Sequence, residues 1–396
     1  MKIKTIGYRL FGLTFSVFRL FGIRKKKVFL IATHEDGPEG NIAVTVRALK
    51  RMNPKLRFVR ITKKDRGNRP FSFFFVKAYH MATAGTILLD NTFMPMAYTP
   101  ISKKATVIQL WHGTGTIKKF GLDSDGEKVA KLARRGNKRI DWLIVNGDRT
   151  KRQYESAFGI PPEKIRPLGL PRTDMLLSES YMGKKRLAFL DGIREKVFEP
   201  ELHRYVLYAP TFRDDELENP RLQLNLQRLM GQLPEDVILL LRFHPYVAEA
   251  FARNNTLDDL PKALQNRVFD VSSYPGTTTL LSVADVLVTD YSSIVFEYAL
   301  LRRPMVFYAY DLEEFTKNGR DFYEPYEEFV PGPVVTDETG LARKLGEALR
   351  DRSSNATTAR REWESRMDAF LRENYSRMDG KAGIRVAALA LRDRKM

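Results

Sequence analysis

Two histidines each follow an apolar run that is typical of a buried strand. His112 lies in QLWHGTGT at 109–116, directly after the run 106–110, and His244 follows the run 237–241. A histidine with a pKa near neutrality can accept a proton from an attacking hydroxyl group. The pattern indicates general-base chemistry, and the alternative is a core histidine that bonds a backbone carbonyl.

The loop after His112 suits a phosphorylated ligand. Gly113 allows the backbone to approach a ligand closely, Thr114 adds a hydroxyl group, and Lys118 and Lys119 can meet phosphate. These neighbours favour the catalytic interpretation of His112.

The segment VTDYSSIVFE at 288–297 combines the end of an apolar run with the start of a helix pattern. Asp290 can cap that helix, and Ser292 and Ser293 fall at its first turn, where free amides and hydroxyls attract a pyrophosphate. Glu297, one turn later, can accept hydrogen bonds from ribose hydroxyls. An ordinary capped helix is the alternative.

Two arginines lie in predicted loops that come after apolar runs. Arg213 lies in YAPTFRD and Arg320 in NGRDFY. A guanidinium group can hold phosphate in a two-pronged fork, although either side chain is equally suited to a surface ion pair.

Several chemistries are excluded by residues that the chain lacks. It has no cysteine, and its five histidines show no H-x-x-x-H spacing, which argues against thiol catalysis and against a metal site. The phosphate-loop, GxGxxG and GxSxG motifs are also missing, which argues against a P-loop NTPase, a standard NAD enzyme and an α/β-hydrolase.

Continuous apolar runs predict strands of parallel sheets that are covered on both faces. With 396 residues, the chain is expected to form two doubly wound α/β domains joined near 176–200, with helices over about 355–395. The predicted strands are Val28–Ile31, Ile87–Leu89, Thr106–Leu110, Trp142–Val145 and Ile165–Leu168, followed by Tyr205–Tyr208, Val237–Leu241, Val268–Val271, Val286–Thr289 and Met305–Tyr308.

The positive charge is concentrated at the N-terminus. Residues 1–80 carry 19 basic and 4 acidic side chains, whereas residues 201–396 carry 26 basic and 31 acidic ones. This asymmetry indicates that the first half meets a polyanion or an anionic membrane.

Residues 1–27 predict a helix that lies on a membrane surface. One face is apolar and the other is basic, and Arg24 with Lys25, Lys26 and Lys27 would add attraction to anionic lipid. No apolar run is long enough to span a bilayer. A secretory signal is disfavoured because no small-residue cleavage site follows, and a helix packed on its own domain is the alternative. The apolar face would hold Ile3, Ile6, Leu10, Leu13, Val17 and Leu20, flanked by Phe11, Phe15, Phe18 and Phe21, with Lys2, Thr5, Arg9, Gly12, Ser16 and Arg19 opposite.

Taken together, these segments resemble the CDP-glycerol glycerophosphotransferases of teichoic acid biosynthesis, in their compact priming or second-unit form. The loop TGTIKK after His112 departs from the usual TPLK, and His-Pro at 244–245 stands where some members have His-Tyr. The matching pieces are QLWHGTGTIKKFG at 109–121, LGLPRTDML at 168–176, YAPTFRD at 208–214, LRFHP at 241–245, VTDYSSIVFEYALLRRPMVFYAYDLEEF at 288–315, GRDFY at 319–323 and DGKA at 379–382.

The resemblance implies a GT-B architecture, in which two Rossmann-like domains face a central cleft and no metal or cofactor is bound. The important histidines of the family map onto His112 and His244. Residues 28–180 would form the acceptor domain and 190–370 the CDP-glycerol domain, between a membrane-surface helix at 1–27 and a terminal helix at 371–396. Donor-binding positions map onto Thr211, Arg213, Ser292, Ser293, Glu297 and Arg320.

The expected activity is the transfer of glycerol phosphate from CDP-glycerol to an undecaprenyl-diphosphate-linked saccharide at the cytoplasmic face of the membrane, with release of CMP. A ribitol-phosphate transferase and a GT-B enzyme that uses a nucleotide sugar are the alternatives. A nucleic-acid partner is disfavoured because the basic charge accompanies the N-terminal helix. The oligomeric state is left open.

Overall fold

The structure is a computed structural model, which describes residues 2–211, 213, 222–253, 257, 260–318, 321–350 and 358–392. The strands of these residues form two parallel sheets. The strands are β1 (Arg24–Ala32), β2 (Arg57–Thr62), β3 (Ala84–Leu89), β4 (Thr106–Gln109), β5 (Trp142–Val145), β6 (Ile165–Pro167), β7 (Arg204–Ala209), β8 (Val237–Leu241), β9 (Val268–Asp270), β10 (Val286–Thr289), β11 (Met305–Tyr308) and β12 (Val334–Val335).

The chain divides into two units, each built around one of these sheets. The first unit comprises Met1–Met175 and Glu373–Met396, and the second comprises Leu176–Arg372. Within the described residues, the first sheet has the strand order β2-β1-β3-β4-β5-β6 and the second has β12-β11-β10-β7-β8-β9. The order of the second sheet is that of a Rossmann fold, whose ligands bind beyond the carboxyl ends of the strands where the order reverses.

Helices connect successive strands, as the parallel pairing requires. Between them lie short 3₁₀ segments, one of which is Met94–Tyr98, and a π-helical segment at Ser72–Lys77. The α-helices are α1 (Lys2–Phe18), α2 (Asn41–Met52), α3 (Lys63–Asn68), α4 (Ala78–Ala82), α5 (Glu127–Asn137), α6 (Asp148–Phe158), α7 (Thr173–Leu176), α8 (Glu179–Ile193), α9 (Leu226–Gly231), α10 (Pro245–Arg253), α11 (Lys262–Gln265), α12 (Thr277–Val283), α13 (Ile294–Ala299), α14 (Leu312–Asn318), α15 (Tyr326–Phe329), α16 (Glu338–Arg350), α17 (Thr358–Asn374) and α18 (Ala382–Arg392).

Each of the predicted strands is present, and two further strands were not predicted. β2 pairs with β1 at the edge of the first sheet, and its exposed Arg57 and Arg60 interrupt the apolar pattern. β12 has only two residues. Apolar runs therefore identified all the interior strands and one edge strand of each sheet, and they missed the polar strand β2 and the very short strand β12 at the other edges.

The segment expected to link the domains is instead a helix of the second unit. Helix α8 buries Met182 and Phe189, and the Arg186 guanidinium donates to the Val283 carbonyl at the end of α12, at 2.7 Å. The apolar residues of this segment show only a weak helical periodicity, because few of its side chains are buried, and the sequence therefore did not indicate the helix.

The N-terminal helix has two apolar faces rather than one. Phe11 and Phe15 are fully buried in the core of the first unit. Gly12, expected on the basic face, packs against Tyr98 so closely that a Cβ atom would lie 2.5 Å from the Tyr98 carbonyl oxygen. Ile6 and Leu13 remain exposed on another face. The expectation of a single apolar face with a basic back is therefore wrong.

The end of the chain is fastened to the first unit by a carboxylate. Both Asp174 carboxylate oxygens accept hydrogen bonds, at 2.8 Å, from the backbone N–H groups of Ala382 and Gly383 at the start of α18. The Arg385 side chain then donates to the Leu168 carbonyl at 2.8 Å. These contacts give a structural reason for the motifs at 168–176 and 379–382.

Replacing Asp174 with Ala should loosen helix α18, because two backbone donors lose their acceptor. We expect amide hydrogen exchange in α18 to accelerate by about tenfold or more, which corresponds to ~1–3 kcal/mol of lost local stability. Asp191→Ala, at an exposed carboxylate of α8, is the control. Unchanged exchange in α18 would show that Asp174 does not hold the helix.

Candidate active site

Asp90, at the carboxyl end of β3, organises the loop that follows β1. One carboxylate oxygen accepts from the backbone N–H groups of Thr33 and His34, at 3.0 and 3.1 Å, and the other accepts from Glu35 at 3.1 Å. Burial raises the pKa of the Asp90 carboxyl, and the three N–H donors act against that rise. The loop after β1 is thereby fixed beside the end of β3.

The main chain of the same aspartate holds His112. The Nδ1 atom of His112 lies 3.1 Å from the Asp90 carbonyl oxygen, which can only accept a hydrogen bond. Nδ1 therefore carries the proton, and Nε2 is the ring atom with a lone pair. The carbonyl contact that the alternative interpretation expected is thus present, and it gives the tautomer that a general base needs.

The backbone before His112 is strained and supported by polar side chains. Trp111 has a φ of 55°, in the left-handed region that non-glycine residues seldom adopt. Its N–H donates to the Gln109 side chain at 2.8 Å, and its carbonyl accepts from the Asn41 side chain at 3.0 Å. These bonds turn the chain sharply at the end of β4 and place His112 over the sheet edge.

The surroundings of His112 keep its ring neutral. Burial, followed by the charge on His34, lowers the pKa of His112 from 6.5 to about 3. Arg172 and Lys63 act in the same direction, whereas the hydrogen bond to Asp90 opposes them.

The loop after His112 is anchored by its backbone. The Tyr154 hydroxyl donates to the Gly113 carbonyl at 3.0 Å, and the Asn146 side chain donates to the Thr114 carbonyl at 2.5 Å. Thr114 is buried, and the Lys118 carbonyl accepts from Thr116 at 2.5 Å. Gly113, Thr114 and Lys118 thus lie on one ordered loop with His112.

In the second unit, Asp290 occupies the corresponding position at the end of β10. Its carboxylate accepts from the Thr211 N–H at 2.8 Å and from the Arg213 guanidinium at 3.0 Å. The side chain therefore reaches across to the loop after β7 and does not cap α13, as the sequence had suggested. Ser292, rather than Asp290, accepts from the Ile294 N–H, at 3.3 Å.

Arg213 is held in a buried ion-pair network. Its Nε and Nη2 atoms donate to the two Asp311 carboxylate oxygens at 2.7 and 2.9 Å, and Nη1 donates to Asp290 and to the Thr211 carbonyl. The guanidinium also lies 5.2 Å from the ring centres of Tyr291 and Phe315. Arg213 therefore stabilises the loop after β7. This matches the alternative interpretation of Arg213 as an ion-pair partner, although the pair is buried and not on the surface.

His244 lies at the carboxyl end of β8, beside β7. Its side chain is exposed, and its carbonyl accepts from the Val247 and Ala248 N–H groups at the start of α10. The Arg242 guanidinium donates to three carbonyls after β9, those of Val271, Ser272 and Tyr274. His244 is thus presented at the same sheet edge as Thr211 and Asp290.

The remaining predicted residues differ in their placement. Ser292 and Ser293 precede α13, which carries Glu297, and the Glu297 side chain is buried. Arg320 lies outside the described residues. In the part of the chain that is described, no group of three or more metal-ligating side chains occurs.

A cavity in the second unit lies away from these residues. It has a volume of about 470 Å³ and begins at Met305 and Pro333, at the amino ends of β11 and β12. Because Asp290 and His244 lie at the carboxyl ends of their strands, this cavity is not the predicted donor site.

Sequence reasoning missed the residues that stabilise the strand-end loops within each unit. Asp90 and Asp311 each follow a predicted strand, and that position was the available signal. Asn146 also directly follows a predicted strand, Trp142–Val145, whereas Asn41 gave no such signal. Both bind two segments at once: Asn41 joins Trp111 to Arg172, and Asn146 joins Thr114 to Leu170.

Residues 13–390 match the family described as CDP-Glycerol:Poly(glycerophosphate) glycerophosphotransferase. The chain belongs to this family. It is 31% identical over 385 residues to a teichoic acid ribitol-phosphate primase of Bacillus spizizenii, covering 93% of this chain and 91% of the relative. It is 30% identical over 272 residues to a teichoic acid glycerol-phosphate primase of Bacillus subtilis, covering 67% and 66%.

Solved structures of a wall teichoic acid polymerase share the fold. The solved wall teichoic acid polymerase TagF has a TM-score of 0.79 and 26% identity, over 99% of this chain and 96% of that one. A TagF variant soaked with CDPG has a TM-score of 0.78 at 25% identity, with the same coverage. The expected α/β, GT-B-like fold and the family resemblance are thus confirmed.

Replacing Arg213 with Met should destabilise the second unit, because Asp290 and Asp311 would lose their buried cation. We expect a loss of ~3–5 kcal/mol in the free energy of unfolding, measured by urea denaturation. Arg343→Met, which removes an exposed partner of Glu347, should cost less than ~1 kcal/mol. Equal losses in the two variants would contradict the bracing role of Arg213.

Proposed function

We propose that this family member transfers an alditol phosphate, glycerol phosphate in the first instance, from its CDP ester to a hydroxyl group of an undecaprenyl-diphosphate-linked saccharide, releasing CMP. The acceptor oxygen forms a bond to the phosphorus next to glycerol, and the bond from that phosphorus to the CMP oxygen breaks. The observation that carries the proposal is His112, fixed by Asp90 as a neutral ring with its lone pair on Nε2.

His112 is proposed to take the proton of the acceptor hydroxyl on Nε2. A ring with a pKa of about 3 is a weak base before substrates bind. A diphosphate ester carries negative charge, which favours the imidazolium form and raises the pKa of a nearby histidine. Donor binding would therefore strengthen the base at the moment when it is needed.

The second unit is proposed to hold the donor. Three adjacent strands, β10, β7 and β8, end in Asp290, the loop of Thr211 and Arg213, and His244. This is the edge at which Rossmann-type sheets bind nucleotides. Thr211 supports the assignment because its Oγ1 atom is buried with no partner among the described residues. His244 with the amides of Ser292 and Ser293 would contact the diphosphate, and Glu297 and Arg320 complete the proposed set.

His112→Ala should lower turnover by ~10²–10⁴-fold while the donor still binds, since a base and not a binding contact is lost. CMP release reports turnover, and isothermal calorimetry with CDP-glycerol reports binding. His203→Ala, at a partly exposed histidine away from the proposed site, is the control. Near-normal turnover of His112→Ala would refute the assignment.

A ribitol donor is the second candidate. The similar primase from Bacillus spizizenii that covers most of this chain is a ribitol-phosphate enzyme. Incubation with equal CDP-glycerol and CDP-ribitol, a short-chain lipid disaccharide and mass analysis of the product decides between them. A product with neither alditol phosphate would exclude both candidates.

The first unit is proposed to attach peripherally to an anionic membrane at its cytoplasmic face, where it would meet the lipid-linked acceptor. No helix among the described residues is both long and apolar enough to cross a bilayer. Exposed apolar side chains are nevertheless present in this unit: Leu13 is 65% exposed, Leu20 85% and Phe71 71%. Arg9, Arg19 and the start of β1 add exposed cations on the same unit. Apolar side chains with nearby cations are the combination that binds a membrane interface.

Replacing Leu13 and Val17 together with Asp should weaken binding to phosphatidylglycerol vesicles by about tenfold or more, because two exposed apolar side chains are lost and two negative charges are added. Truncation is unsuitable because it would remove Phe11 and Phe15 from the core. Leu187→Asp with Leu202→Asp, at exposed sites of the second unit, is the control. Sedimentation that is equal for both variants would contradict membrane attachment through α1.

A further inference from the structure

A second histidine lies flat against the ring of His112. The ring centres of His34 and His112 are 3.7 Å apart, and the ring planes differ by 9°. His34 follows β1 and His112 follows β4, and β3 lies between these strands. Asp90, which ends β3, accepts from the His34 N–H with its side chain and bonds the His112 ring with its carbonyl. One residue therefore binds both the backbone of His34 and the ring of His112.

We propose that His34 is a positioning residue for the transfer reaction: its ring fixes the plane of His112, and the stacked pair takes up a single proton, so that Nε2 of His112 stays available. This inference rests on the proposed function, in which His112 is the base. The sequence showed only that His34 follows the predicted strand Val28–Ile31; it did not indicate the contact with His112, which is far away along the chain.

Contacts on two sides fix the orientation of the His112 ring. The hydrogen bond from Nδ1 to Asp90 holds one edge of the His112 ring, and a ring held at one edge can still tilt. His34 covers a face of the ring, and the Trp111 ring lies 4.0 Å away at an angle of 31°. Proton transfer requires Nε2 to lie close to the acceptor hydroxyl and to point at it. A tilt of the His112 ring out of its plane should therefore reduce turnover.

The charge on His34 also affects the protonation of His112. Two imidazolium rings 3.7 Å apart repel each other strongly, so protonation of one suppresses protonation of the other. The other charged groups that act on His112 are Arg172, after β6, and Lys63, at the start of α3. Arg172 is paired with Glu35 at 3.2 Å, and the Asp90 carboxylate is occupied by three N–H donors. His34 is therefore a titratable group in direct contact with His112, and its own protonation can control that of His112.

Two substitutions of His34 distinguish the effect of its aromatic ring from the effect of its charge. His34→Phe keeps an aromatic face and removes the second titrating group, whereas His34→Ala removes both. The pKa of His112 is measured in the full chain by NMR titration of its ring, with His112→Asn used to assign the signal. Turnover is measured as CMP release across the pH range. His80→Phe, the same substitution elsewhere in the first unit, is the control.

Both His34 variants should raise the pKa of His112 by about one pH unit or more, because a nearby positive charge is lost. The acidic limb of the turnover profile should move to higher pH by the same amount, because His112 then becomes protonated sooner as the pH falls. At the high-pH plateau, His34→Ala should lose about tenfold or more in turnover, and His34→Phe should retain several-fold more than His34→Ala. The control should change neither quantity.

An unchanged pKa of His112 in His34→Phe would overturn the charge argument, and equal plateau turnover in the Phe and Ala variants would overturn the orientation argument. The NMR titration does not depend on catalysis. If wild-type protein released no CMP from CDP-glycerol or CDP-ribitol, the proposed function would fail, while the titration would still decide whether the two rings share one proton.

Discussion

A buried carboxylate at the end of a central parallel strand constrains each unit of this protein. Asp90 and Asp290 are nearly inaccessible to solvent, so their charge must be met by donors from the protein. In the first unit the donors are backbone N–H groups of the loop after β1, and in the second they are the Thr211 N–H and the Arg213 guanidinium. Within each unit, the loop beside the carboxylate takes the shape that satisfies it.

The two carboxylates produce different chemistry because their partners differ. Around Asp290, Arg213 and Asp311 close a network in which charges neutralise one another, which suits a rigid frame for a charged donor. Around Asp90 the donors are neutral amides, and the main-chain carbonyl directs the His112 proton to Nδ1. The result is an uncharged, stacked imidazole in a partly buried place. In the proposed function, a negatively charged substrate would raise the pKa of this ring and make it a more effective base.

Most of the fold could be predicted from the sequence, because strands buried on both faces are continuous apolar runs. The placement of His112 and His244 at strand ends follows from the same pattern. The partners of the side chains could not be predicted. An arginine can bind a phosphate or a carboxylate, and the sequence does not show that Arg213 pairs with Asp311, because the two lie in loops that are far apart along the chain. Likewise, α1 has enough apolar residues for a core face and an exposed face, and only packing shows that Phe11 belongs to the core.

The central claim is that the phosphoryl group next to the alditol moves intact to the acceptor. Donor CDP-glycerol carrying ¹⁸O in the non-bridging oxygens of that group, incubated with a short-chain lipid disaccharide, tests it directly by mass spectrometry. The account predicts that the label appears entirely in the lengthened lipid product and that the released CMP is unlabelled. Release of labelled CDP, or a lipid product that has gained mass without the label, would contradict it.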